Sequence, residues 1–161
     1  MTIAEIFLKE FDLEMETTRR VLERVPSDRL EWRPHPKSMS MQELAGHVAE
    51  LTLWGVRMDE SSFEAGTRRL PDYDSVGQLL ARFDENVAAS RASIARRTDE
   101  ELREPFAVTR GGTTYFRMSK ATLLRRVFMN HMIHHRGQLS VYLRCNDVPL
   151  PPIYGPSADE S

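Results

Sequence analysis

The chain contains a single cysteine, Cys145, among its 161 residues. One cysteine excludes an internal disulfide and any zinc site built on cysteine pairs. Charge of one sign is also missing. Lys and Arg number 22 against 24 Asp and Glu, for a net charge of −2, and the basic residues are scattered. No field of that size draws in nucleic acid or an anionic membrane surface, so neither is expected as a partner. Apolar runs are short, and none approaches the ~20 residues that span a bilayer. The opening MTIAEIFLKEFDLE is charged from Glu5 onward, which leaves no secretory apolar stretch. A reducing cytoplasm is the expected setting.

Hydrophobic residues make up 40% and charged residues 29%, enough for one sizeable core and a single domain over residues 1–161. Four stretches carry apolar residues at helical intervals. The first runs from Ile3 to Val25, with Thr2 and Glu5 at capping-box spacing and Pro26 as its stop. The loop DRLEWRPHPKSMS follows. Ser40 and Glu43 then open a second helix, Met41 to Glu60, with Leu44, His47, Leu51, Trp54 and Met58 along one face. Gly66 to Pro71 breaks the pattern. A third helix is expected from Ser75 to Arg97 with Asp74 as its cap. Pro105 to Met118 contains Gly111-Gly112 and permits a short hairpin. Ser119 caps the last helix, Lys120 to Cys145, and the proline-rich tail returns Leu150, Ile153 and Tyr154 to the core. With no strong strand signal, the expected fold is all-α, an antiparallel four-helix bundle.

Three of the five histidines fall in the run His131-Met132-Ile133-His134-His135. A helix turns about 100° per residue, so His131 and His135 lie within roughly 40° of each other and can share one ion. Leu124 and Tyr142 sit at about +20° from His131, Val127 at about −40° and Phe128 at about +60°, which points the pair inward. His47 faces inward on the second helix. His47, His131 and His135 together would satisfy with one ion the nitrogens that three separate buried rings would leave unpaired. Three protein ligands leave a coordination position open, as a catalytic ion requires. His134, the rival to His135, lies at the edge of the stripe at about −60°, and His35 in the proline-rich loop is read as a non-ligand. Trp54, Gln138 and Tyr142 are candidate contacts to a cofactor or substrate, with core packing as their ordinary role. Glu50, one turn from His47, reads as a solvated residue unless it supports the site. Cys145 is expected to be a buried inert thiol.

The segments EWRPHPKSMSMQELAGHVAEL, NHMIHHRGQLSVYLR and VPLPPIYGPSADE resemble the DinB family, the DinB/YfiT-like metalloenzymes. The resemblance covers nearly the whole chain. It implies a four-helix bundle that is often a homodimer, with a three-histidine metal site on His47, His131 and His135. It also implies activation of a low-molecular-weight thiol in S-transfer or isomerisation, or metal-dependent hydrolysis, on a small-molecule substrate. Imidazoles suit zinc, nickel, iron and copper, and zinc or nickel is the expected ion. A non-catalytic metal-binding bundle, a stress-linked sensor or interaction protein, is the competing expectation.

Overall fold

The computed structural model describes residues 1–66 and 73–160. Helix α1 spans Ile3–Leu22. The Thr2 side chain accepts from the Glu5 N–H while the Glu5 carboxylate accepts from the Thr2 N–H, so both ends of the capping box are made. Phe7, Phe11 and Met15 point inward, and Phe11 is completely buried. The helix ends at Leu22, ahead of the expected Val25, although Val25 is still buried.

Helix α2, Met41–Leu51, starts on the Ser40/Glu43 capping box. It does not continue as α-helix to Glu60. The backbone tightens into a 3₁₀ helix over Thr52–Asp59. The Thr52 hydroxyl donates to the Ala49 carbonyl at 2.6 Å, and the Ser90 hydroxyl donates to the Thr52 carbonyl. Gly55 fits against Ser90 so closely that a Cβ there would fall 2.6 Å from the serine Cβ. The sequence pattern registers the apolar face of this segment but not the change of pitch, because the two helix types differ little over two turns.

Helix α3 covers Val76–Ala95 and is capped by Ser75 rather than Asp74. The Ser75 hydroxyl accepts from the Gln78 N–H, whereas the Asp74 N–H donates to the Gln78 side chain. A short helix α4, Asp99–Arg103, leads into strands. The break placed at 66–71 lies, from residue 67 on, outside the described residues.

The all-α expectation needs correcting. The fold is mostly helical but includes a three-stranded sheet. Strands β2, Pro105–Arg110, and β3, Thr113–Ser119, form the antiparallel hairpin that Gly111-Gly112 permits. Both glycines have positive φ, 58° and 75°, the conformation a two-residue hairpin turn demands. Strand β1, Ser62–Glu64, adds in parallel to β2, placing Phe63 opposite Val108. Three residues are too few to carry a readable alternation.

The last helical stretch begins with α5, Lys120–Leu123, capped by Ser119. It widens into a π-helical turn over Leu124–Met129 and resumes as α6, Asn130–Cys145. The π segment ends two residues before His131. Such turns offset one part of a helix from the next and recur at functional sites. Leu124 and Phe128 remain buried as expected. Helix α1 packs on α3 and α6, and α2 packs on α6 and α3. Phe7, Phe11 and Phe128 meet with ring centroids 5.8–6.3 Å apart. Of the tail residues, Leu150 and Ile153 pack against the core, while Tyr154 is 71% exposed and bound through its hydroxyl. Among the described residues no helix is long and apolar enough to cross a membrane.

Candidate metal centre

The inward face of α2 and the start of α6 bring three imidazoles together. His47 sits 5.2 Å from His131 and 4.6 Å from His135, centroid to centroid, and the two α6 rings are 4.6 Å apart. Each ring offers one nitrogen, and all three nitrogens lie within 4.8 Å of one another. An ion held about 2.1 Å from each nitrogen needs donors roughly 3–4 Å apart. The group matches that requirement with small side-chain adjustments.

The hydrogen bonds decide which nitrogens are available. His135 Nδ1 lies 2.7 Å from the Gln138 side-chain oxygen. An amide oxygen only accepts, so the ring proton sits on Nδ1 and the lone pair on Nε2. The His131 ring stands one turn after Val127 on the same helical stretch. The two Nε2 atoms then face each other at 2.9 Å. At that distance the two nitrogens can share one proton or turn together to one ion, so the donor set fits a metal ion. Burial holds all three rings in the neutral form that ligates. It lowers His47 to about 4, with His135 and His131 adding to the effect. Burial also lowers His131, with the Val127 backbone opposing it, and His135, against the bond to Gln138.

Beside the histidines lies a cavity of about 360 Å³ whose walls include His47, His131, Glu50, Trp54, Arg57 and Phe63. This is the size of a small-molecule site. Trp54 meets Phe63 edge-on at 5.1 Å and backs onto Phe106 at 6.4 Å. Glu50 is only 8% exposed and pairs with Arg82 at 3.2 Å. A second hollow, of about 410 Å³, opens on the other side of His131 between Phe116, Arg126 and His134.

The DinB family profile matches residues 2–161. The chain belongs to the DinB family. It is similar to two uncharacterised Bacillus subtilis proteins. One is YrdA, 26% identical over 158 residues, 96% of this chain and 89% of YrdA. The other is YjoA, 25% identical over 129 residues, 79% of this chain and 80% of YjoA. The crystal structure of the DinB-like YjoA superposes with a TM-score of 0.71 at 23% identity, covering 92% of this chain and 97% of that one. A DinB-like protein from Bacillus cereus ATCC 10987 gives 0.72 at 23% identity over 93% and 97%. At such identities the likeness to solved structures establishes the shared fold.

In this DinB protein the residues singled out from the sequence go to different places. His47, His131 and His135 converge. His134 is exposed, its ring 4.9 Å from that of His135, and stands outside the group. His35 accepts from the Lys37 N–H in its loop. Trp54 lines the cavity, whereas Gln138 stands outside its walls and bonds His135. Tyr142 turns to Trp32, at 5.3 Å, and its hydroxyl donates to the Met39 carbonyl. Two readings change. Glu50 is a buried wall residue of the cavity, because its face of α2 turns toward α3 rather than solvent. Cys145 is exposed, because it lies about 200° around the helix from the buried Leu143. Arg57 and Phe63 were not anticipated. Arg57 carried a signal, standing three residues after Trp54 on one helix face. Phe63 carried none, since only the pairing of β1 brings it to the cavity.

Proposed function

We propose that this DinB protein is a metal-dependent enzyme in which His47, His131 and His135 hold one divalent transition-metal ion, zinc or nickel. When bound, the ion would lower the pKa of a thiol or water and make it a nucleophile at neutral pH. The reading rests on one observation, the opposed Nε2 atoms of His131 and His135 with His47 beside them. Gln138 fixes the orientation of the His135 ring, so that donor is set before anything binds. Trp54 and Phe63 give the cavity an apolar wall that excludes water from an electrophilic small molecule. Glu50, at the His47 end of the same cavity, is placed to hold a proton released there. The chemistry is S-transfer with a low-molecular-weight thiol, or hydrolysis. We place this in a single domain over residues 1–161, an antiparallel four-helix arrangement that works as a cytoplasmic homodimer.

Elemental analysis of purified protein beside a His131→Ala variant tests the ion. Wild type should carry about one equivalent and the variant far less, and equal metal in both would remove His131 from the site. One observation favours a second reading. The three ligands come from α2 and α6, so an ion would also pin those two elements together without turnover. A cobalt-substituted sample separates the two. A saturable, thiol-dependent change in its visible spectrum belongs to the enzyme, and a spectrum indifferent to thiols belongs to the structural pin.

A further inference from the structure

The geometry points to an anion subsite at the end of the cavity remote from the histidines, with Arg57 as its cation, so that the substrate class is an apolar-bodied carboxylate. The assignment rests on reading the cavity as the substrate site of the metal centre. Arg57 is in the 3₁₀ segment, seven residues past Glu50 and roughly 10–14 Å further along the axis. Its guanidinium carbon stands 4.0 Å from the centroid of the Phe63 ring and 5.8 Å from that of Trp54. The side chain lies over Phe63 at the corner that ring makes with Trp54, and is 21% exposed.

The ion pair it makes is partial. Glu60 contacts only Nη1, at 3.2 and 3.3 Å, and Glu60 is 47% exposed. Among the described residues Nε and Nη2 make no hydrogen bond. Those two nitrogens form the edge of the guanidinium suited to a bidentate carboxylate. A guanidinium seated over an aromatic ring is well placed for that pairing, and a lysine is not an equal replacement. At the opposite end Glu50 is paired with Arg82, which leaves the Arg57 end as the cationic one. Between the two ends the wall is apolar, built by Leu51, Trp54 and Phe63. A ligand that satisfies every part of this cavity has a carboxylate on Arg57, an aryl or alkyl body against Trp54 and Phe63, and its reacting group at the histidines.

The test compares 4-phenylbutyrate with its neutral amide, 4-phenylbutyramide, by titration calorimetry on the full chain, both metal-loaded and metal-stripped. In stripped wild type the acid should bind about tenfold more tightly than the amide, as one charge-assisted pair allows. Arg57→Gln should bring that ratio to about one and leave the amide's affinity within about twofold, which also shows that the cavity still forms. Arg57→Lys should keep an intermediate ratio. Equal affinity for acid and amide in wild type overturns the proposal. So does an undiminished ratio in Arg57→Gln, or no binding of either probe at millimolar concentration. A preference seen only with metal present, and kept in Arg57→Gln, would put the carboxylate on the ion and sink the Arg57 subsite while the metal reading survives. An intact preference in wild type that takes up no metal when zinc or nickel is offered would do the reverse.

Discussion

Two polar clusters sit side by side on α6 and have opposite characters. Arg136 is 1% exposed, yet its partners are all supplied from within. Nη1 meets the Glu14 carboxylate at 2.7 Å, the Glu14 carbonyl at 3.2 Å and the Thr18 hydroxyl at 3.1 Å, while Nη2 donates to the Tyr154 hydroxyl at 2.7 Å. Tyr154 in turn donates its own hydrogen bond to the Glu14 carboxylate. Its neighbour in sequence, His135, faces another way and joins a set of ring nitrogens turned toward one another. A buried charge with every partner present holds elements together. A group of donors that lacks a shared acceptor awaits a ligand. The contrast shows that burial of a polar side chain does not mark a site, whereas incomplete satisfaction does.

Removing Arg136 should produce the largest effect on stability. Arg136→Ala leaves the Glu14 carboxylate, 8% exposed, without its cation and removes the bond from α6 to Tyr154 of the tail. A loss of about 3–5 kcal/mol in denaturant unfolding is expected, the same with and without metal. A metal-dependent loss would mean that the two clusters are one unit, and the contrast would fail.

The histidine cluster should behave the other way. His131→Ala should change metal-free stability little and abolish the stabilisation that added metal gives wild type. That stabilisation is about 2.7 kcal/mol at a hundredfold excess over Kd. Thermal melts with and without zinc or nickel check it, and equal gains in both proteins would contradict the assignment. Acid sharpens the same point. His47 titrates near 4 when folded against an ordinary 6.5, so between those values the unfolded chain binds more protons than the folded one. Stability of the stripped protein therefore falls as pH drops from about 6.5 towards 4 and levels off below. Bound metal should be released over the same acid range, because protons compete for the same nitrogens. Metal content followed down a pH series tests this, and retention to pH values well below 4 would contradict it.

Much of this arrangement was readable because it depends on local spacing. The interval of four between His131 and His135 sets their common face whatever the rest of the chain does, and the boxes at Thr2/Glu5 and Ser40/Glu43 are complete within four residues. What escaped depends on tertiary pairing or on slight changes of pitch. The π turn before His131 and the 3₁₀ turn after Leu51 leave the apolar pattern nearly intact. β1 exists only because β2 is beside it. Glu50 looked solvated because nothing in the sequence of α2 says that Arg82 of α3 will cover it.

The smallest expected effect addresses how the two clusters differ at a single hydrogen bond. Gln138 touches only one member of the histidine set, and it does so on the far nitrogen. Its removal should leave the fold and the ligand count unchanged. In Gln138→Ala the His135 proton has no fixed acceptor and distributes between Nδ1 and Nε2, so part of the population presents an N–H to the ion instead of a lone pair. The ring also becomes free to rotate. Loss of such an outer partner lowers metal affinity about 10- to 100-fold. Gln138→Glu keeps an acceptor at the same place and adds negative charge, so its affinity should equal or exceed that of wild type. Competition against a chromophoric chelator measures all three proteins on one scale. The order Glu at least equal to Gln, and both above Ala, follows from a ring held with Nε2 towards the ion. If alanine matched glutamine, His135 would be oriented by something other than this bond, and the incomplete satisfaction that separates its cluster from that of Arg136 would lose its structural cause.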